Sequence, residues 1–274
     1  MQKKAILIAV GGATCSGKTT LAKKLQRALP NNFIIHQDDF APSWDKVPYH
    51  PDFPDIQDWD RADTAIDWPY FRRELEFAKK EAKHLPELRS HDHLNAQVDV
   101  PIDDAIVEEW RAKFQELEDR GKAKGVELVF VLIDGFLLYY DPDCARNYDV
   151  LFFLRVSYAT LKHRREERAQ YVTQNPSLAK AGDVWQDPPH YFDNIVYPAY
   201  VAAHKQLFTN GDVEKGELAS DWYRRVMGQD AVTAEENDKV AEVFTPVEGA
   251  EGMQDMVTRG LERIYEVASK SISP

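Results

Sequence analysis

The sequence predicts a three-layer α/β fold around a mainly parallel sheet, and three observations carry that expectation. Residues 5–10, Ala-Ile-Leu-Ile-Ala-Val, form a short apolar run suited to a strand buried on both faces. A glycine-rich loop follows directly, and residues 20–29 then place Leu21, Leu25, Ala28 and Leu29 at helical spacing before Pro30 ends the helix. Further apolar runs at 33–35, 126–133 and 149–156 alternate with amphipathic stretches, the order from which parallel sheets covered by helices are built.

The loop is Gly12-Ala13-Thr14-Cys15-Ser16-Gly17-Lys18-Thr19, continued by Thr20, and it fits the phosphate-loop pattern G-x-x-x-x-G-K-[ST] at every position. Glycines let successive backbone N–H groups curl around a phosphate, and the helix that follows adds the positive end of its dipole. Lys18 can reach the outer phosphates, and the Thr19 hydroxyl is a candidate Mg²⁺ ligand. A chance glycine-rich turn is the bland alternative, and the strand before it and helix after it speak against that. The expected ligand is a nucleoside triphosphate.

A chain of 274 residues without an internal repeat or linker is expected to form a single domain over 1–274. Its net charge of -12 argues against gripping nucleic acid or an anionic membrane, so the expected partners are small molecules and the expected state a monomer. No stretch of 18 uncharged apolar residues occurs, and the first apolar run leads into the loop rather than to a cleavage site. Two cysteines, Cys15 and Cys144, match no metal spacing and suggest a reducing, cytoplasmic setting.

Taken in order, residues 33–35 read as a second strand that delivers His36-Gln37-Asp38-Asp39-Phe40 at its carboxyl end, where open α/β sheets place ligand chemistry. A paired Asp can simply be a solvated turn; beside a phosphate site, a carboxylate that takes a hydroxyl proton or holds Mg²⁺ is the sharper reading. Residues 41–67 are rich in Pro, Asp and Trp and read as a loop over the acceptor side, where Trp59-Asp60 pairs an aromatic face with a carboxylate. Helices are expected over 71–83 and 103–120, within a helical insertion or lid spanning 71–125. His84, His91 and His93 lie between them, but no Cys accompanies them and zinc is not expected.

The run 126–133 ends in Asp134, where a phosphate-loop enzyme places its second, Mg²⁺-facing acid. After the strand at 149–156, a helix over 158–169 carries Arg164, Arg165 and Arg168 at i,i+3 and i,i+4 spacing, so all three can share a face. They read as part of a phosphate-clamping lid over 158–193, the alternative being a solvated helix paired through Glu166 and Glu167. Residues 193–208 read as helical, 205–213 as the last short strand, 230–252 as a flexible acidic insertion, and 253–270 as the closing helix.

A GTPase would carry an Asn-Lys-x-Asp base-reading motif, which is absent, and small-molecule kinases remain the natural class. The loop 12–20, Gln37-Asp38-Asp39-Phe40, Trp59-Asp60, Ile133-Asp134-Gly135-Phe136, the Arg164 to Arg168 stretch and Asp187-Pro188-Pro189-His190-Tyr191-Phe192-Asp193 resemble the nicotinamide riboside kinase family within the uridine kinase-like group. The resemblance covers most of the chain and fades over 71–125 and after residue 212. It implies a P-loop kinase fold and transfer of the ATP γ-phosphoryl group, with Mg²⁺, to the 5′-hydroxyl of nicotinamide riboside or its acid form. It also implies Asp38 as general base and metal-side acid, Asp60 with Arg165 at the ribose hydroxyls, and Trp59 and Tyr171 as aromatic faces for the ring. Compact members have Glu where this chain has Asp134, which suggests metal contact through water. A uridine or cytidine kinase, or a nucleotide-binding regulatory protein without turnover, are the alternatives.

Overall fold

The computed structural model describes residues 1–95, 98–168, 186–228, 240–246 and 250–272. Its strands are β1 (Gln2–Gly12), β2 (Asn32–His36), the short pair β3 (Tyr49–His50) and β4 (Phe53–Gln57), β5 (Val126–Gly135), β6 (Val150–Leu154) and β7 (Val240–Phe244). All but β3 and β4 join one parallel sheet in the order β2-β5-β1-β6-β7. The two strands with the longest apolar runs, β1 and β5, lie inside it, paired from Gln2 with Val126 to Gly11 with Gly135. Both faces of these strands are covered, so the sequence cannot alternate apolar with polar there.

The helices are α1 (Lys18–Gln26), α2 (Trp68–Glu81), α3 (Asp104–Ala123), α4 (Pro142–Ala145), α5 (Tyr158–Glu167), α6 (Tyr197–His204), α7 (Trp222–Met227) and α8 (Ala250–Ser271). Alternate strand residues feed two cores. Leu7, Ala9, Val131, Ile133, Leu151 and Phe153 pack with Phe71, Leu75 and Ala78 of α2 on one face. Ile8, Val10, Leu132, Phe152 and Leu154 pack on the other with Leu21 and Leu25 of α1, Phe114 and Leu117 of α3, and Leu261 and Ile264 of α8. Side-chain caps start several helices: Asp67 accepts from the Tyr70 N–H before α2, Asp103 from Ala105 before α3 and Ser157 from Thr160 before α5.

Three expectations change. The stretch 71–125 is not an added lid: α2 and α3 each form part of a covering layer, and truncating a ring such as Phe114, fully buried against Phe130 at 5.3 Å, would cost about 3–5 kcal/mol. Residues 205–213 are not a strand but 3₁₀ turns at Lys205–Leu207 and Thr209–Gly211, where Asn210 and Gly211 take positive φ values of 56° and 69° and reverse the chain. The last strand is instead β7, inside the stretch read as a flexible insertion, and α8 begins there too; residues 230–239 and 247–249 lie outside the described residues. Among the described residues, no helix is long and apolar enough to cross a membrane.

Because the sheet strands are parallel, their carboxyl ends share one edge. That edge collects the phosphate loop from β1, the Asp38 turn from β2, Asp134 from β5 and the approach to α5 from β6.

Candidate active site

The phosphate loop depends on backbone conformations that few side chains allow. Gly12 has φ +144°, and a Cβ there would fall 2.5 Å from the Leu154 carbonyl oxygen. Gly17, at φ +94°, is the left-handed N-cap of α1 and provides no side chain to occupy the first N–H groups, which leaves them for an anion. Lys18 Nζ lies 3.5 Å from the Ala13 carbonyl, folded along the loop. The Ser16 hydroxyl is buried and has no hydrogen-bond partner among the described residues.

Asp134 sits beside this loop, paired in register with Val10 on one side and His36 on the other. Burial alone would raise its pKa, but the His36 hydrogen bond, the Lys18 charge and the Thr19 hydroxyl hold it below the ordinary carboxylate value. His36 shifts the opposite way: burial disfavours its charged ring, yet its hydrogen bond to Asp134 and the charges of Asp134, Asp92 and Asp39 raise its pKa. The contact is Nδ1 to Asp134 Oδ2 at 3.1 Å. Asp134 Oδ1 is buried and accepts no hydrogen bond among the described residues. A charged carboxylate with one unmet oxygen next to Thr19 fits the outer or inner shell of a hydrated Mg²⁺.

The 3₁₀ turn Gln37–Phe40 divides the paired acids. Buried Gln37 accepts the Leu137 N–H at 2.8 Å, and Phe40 packs on Tyr70 and Phe71, so both ends of the turn are fixed. Asp39 accepts the His91 N–H at 3.0 Å and lies 2.8 Å from His91 Nδ1, with both side chains only 2% exposed. Asp38 is half-buried, at the turn's more open position. His84, another of the grouped histidines, lies 2.8 Å from Glu74 Oε1.

On the acceptor side, Asp58 Oδ1 accepts the N–H groups of Asp60 and Arg61 and so shapes the turn that presents Trp59 and Asp60. Trp59 is buried with its ring 5.2 Å from that of Trp44. Asp60 is buried too, and burial raises its pKa against the opposing effects of Arg165 and the Tyr191 hydroxyl. A cleft lined by Ala13, Thr14, Asp60, Phe136 and Leu137 joins it to the phosphate loop.

The arginines separate. Arg165 makes a bidentate pair with Asp187 at 2.6 and 2.8 Å and donates from Nη1 to the Thr14 hydroxyl at 2.9 Å. Burial opposes its charge, but Asp187 and Asp60 raise its pKa further. Arg164 Nη1 donates to the Cys15 carbonyl at 3.3 Å. Arg168 stands at the end of the periodicity: α5 ends at Glu167, and Arg168 is its C-cap, with a non-helical ψ of 89°. Tyr171 lies outside the described residues.

Four contributors carry no role in the sequence reading: His36, Tyr191, Asp187 and the His91-Asp92 pair. Tyr191 and Asp187 stand in a motif that carries the resemblance, whereas His36 lies two residues before Asp38 without any local pattern that marks it.

No family model matches the chain. It is 34% identical over 226 residues to the nicotinamide riboside kinase of Eremothecium gossypii, an alignment covering 82% of this chain and 87% of that protein. The Saccharomyces cerevisiae protein of the same name is 35% identical, with 77% and 82% covered. The Schizosaccharomyces pombe one is 33% identical, with 78% and 85% covered. With the phosphate loop, the strand-end acid and the buried Trp-Asp pair gathered at one edge of the sheet, this chain belongs to the nicotinamide riboside kinase family.

Proposed function

We propose that the protein transfers the γ-phosphoryl group of ATP to the 5′-hydroxyl of nicotinamide riboside, giving nicotinamide mononucleotide and ADP, a step of NAD biosynthesis. The observation that carries this reading is the Arg165 bridge: one guanidinium is bonded to Thr14 of the phosphate loop and lies close enough to Asp60 to oppose the rise in its pKa. A buried guanidinium thus joins the phosphate loop and bears by its charge on the acceptor carboxylate, which supports transfer between two adjacent ligands.

Asp38 accepts the proton of the 5′-hydroxyl, and Asp60 receives the ribose hydroxyls with Arg165 beside it. Trp59 offers an aromatic face to the pyridinium, with Tyr171 as the proposed opposite face. Lys18, Arg164, Arg165 and Arg168 offset the charge of the transferring group. Thr19 and Asp134, with Asp38 nearby, would hold Mg²⁺, which when bound neutralises phosphate charge. The backbone of 12–20 cradles the phosphates.

A panel of nicotinamide riboside, nicotinic acid riboside, uridine and cytidine, each assayed with ATP, tests the proposal. Nicotinamide riboside is expected to have the highest kcat/KM of the four or to share it with its acid form. Preference for uridine or cytidine would replace this reading with a pyrimidine nucleoside kinase, and no turnover with any of them would point to a regulatory nucleotide-binding protein.

A further inference from the structure

The residues between α2 and α3 contain a short turn whose contacts lead, through His36 and through Asp39, toward both acids of the proposed reaction. Asp92 begins a 3₁₀ turn, Asp92–Leu94, closed by the bonds Leu94 N to His91 O and Asn95 N to Asp92 O, both 2.9 Å. Asp92 Oδ2 lies 2.6 Å from Lys23 Nζ on α1 and 3.7 Å from His36 Nε2. The other nitrogen of His36 meets Asp134 Oδ2 at 3.1 Å. Nδ1 of the imidazole is thus hydrogen-bonded to Asp134, while Asp92 faces Nε2 from beyond hydrogen-bond reach and acts on the ring through its charge, and the ring in turn selects which oxygen of Asp134 is left for another ligand. The neighbouring residue bears on the turn that carries Asp38: buried His91 donates its backbone N–H to Asp39 at 3.0 Å, and its ring Nδ1 lies 2.8 Å from the same oxygen without a hydrogen bond among the described residues.

We propose that His91 and Asp92 form a positioning turn: Asp92 acts through His36 to orient Asp134, and His91 acts through Asp39 to fix the turn that carries Asp38. The inference rests on the proposed function, which gives the two acids their roles. Outer partners of metal-facing carboxylates and histidines set ligand orientation, and their loss weakens metal binding by about 10- to 100-fold. Side chains here are 18% exposed at Asp92, 11% at His36 and 7% at Asp134, so water screens the chain of contacts poorly. The link from Asp92 to Lys23 also ties it to the helix that begins at Lys18, so loop and strand-end acid are held by one turn.

The test uses the full chain and measures ADP binding by calorimetry, once with Mg²⁺ and once with EDTA. In wild type the metal should tighten ADP binding. His36→Ala should reduce that enhancement by about tenfold and Asp92→Asn by about threefold, with affinity in EDTA unchanged. Asp92→Glu should recover part of the loss, while Asp99→Asn, at the exposed partner of buried Lys24 on the same segment, should behave as wild type. For the other arm, His91→Asn should lower kcat several-fold and leave the riboside KM within about twofold. If wild type has the enhancement and the His36 and Asp92 variants keep it, with only their melting temperatures lowered, the inference falls and the site reading stands. Wild type with no metal enhancement would overturn the role of Asp134 and this inference with it.

Discussion

The Tyr191 hydroxyl lies 3.0 Å from Asp60 Oδ2 and accepts the Trp59 N–H at 3.2 Å, so one phenol 131 positions further along the chain anchors both acceptor residues. Burial raises the Asp60 pKa, and the Tyr191 bond is among the interactions that oppose the rise. Tyr191→Phe removes that opposition, so the Asp60 pKa should climb further. Since the proposed contact with the ribose hydroxyls needs the carboxylate, the acid limb of kcat/KM should move to higher pH, with the KM for ATP little changed. The stability sign follows from the same shift: a raised native pKa favours folding while Asp60 is protonated, and this contribution is lost as pH rises through that pKa. A pH profile of wild type and Tyr191→Phe decides it, and an unmoved acid limb would show that the hydroxyl does not tune Asp60.

Lys18 is half-buried at the start of α1 and its hydrogen bond to the Ala13 carbonyl, at 3.5 Å, is long, so its charge contributes little to folding. Lys18→Ala should keep the melting temperature within a degree or two of wild type and remove most turnover. Near-wild-type activity in the folded variant would defeat the phosphate-loop reading.

The paired acids should separate by kind of effect. Asp38→Asn retains size but cannot take a proton, so kcat should fall by about 10²-fold or more with stability unchanged. Asp39→Ala strips the partner from buried His91 and should destabilise the fold by about 1–3 kcal/mol. Denaturant melts and steady-state kinetics on both variants measure this, and a larger kcat loss in Asp39→Asn than in Asp38→Asn would reverse the assignment.

Legibility in the sequence follows the range of the interactions. β1 and β5 are readable because burial on both faces forces an unbroken apolar run, and the phosphate loop because its backbone geometry restricts residue type locally. β7 is not: it is a five-residue edge strand whose inner residues alternate with Glu242, which accepts from Arg259 at 2.8 Å, and it lies within an acidic stretch. The helices α2 and α3 carried a clear amphipathic signal, yet nothing in their own residues says which face of a sheet they cover, so they looked like an insertion. The end of α5 is unreadable for a related reason, since i,i+3 spacing carries no mark of where the helix stops, and Arg168 is its C-cap. His36 and Tyr191 gain their roles from partners 98 and 131 positions away, a separation at which no local pattern exists.

Acceptor specificity gives the last prediction. Trp59 and Asp60 are adjacent, buried and fixed by the same Tyr191 hydroxyl, yet they should fail differently. Asp60→Ala removes the group proposed to take the ribose hydroxyls and leaves Arg165 its bonds to Asp187 and Thr14, so phosphorylation of every riboside should collapse. Trp59→Ala removes a ring face whose attraction for a cation is worth about 1–2 kcal/mol, or roughly tenfold in kcat/KM. That loss should fall on cationic nicotinamide riboside more than on neutral uridine. Trp44 packs against Trp59 with ring centroids 5.2 Å apart, so one aromatic neighbour remains beside the Trp59→Ala cavity. Measuring kcat/KM for nicotinamide riboside, nicotinic acid riboside, uridine and cytidine in wild type and both variants separates the two effects. Equal losses for all four substrates in Trp59→Ala would mean that the indole supports the turn rather than reads the base, and specificity would then have to come from the remaining walls of the cleft.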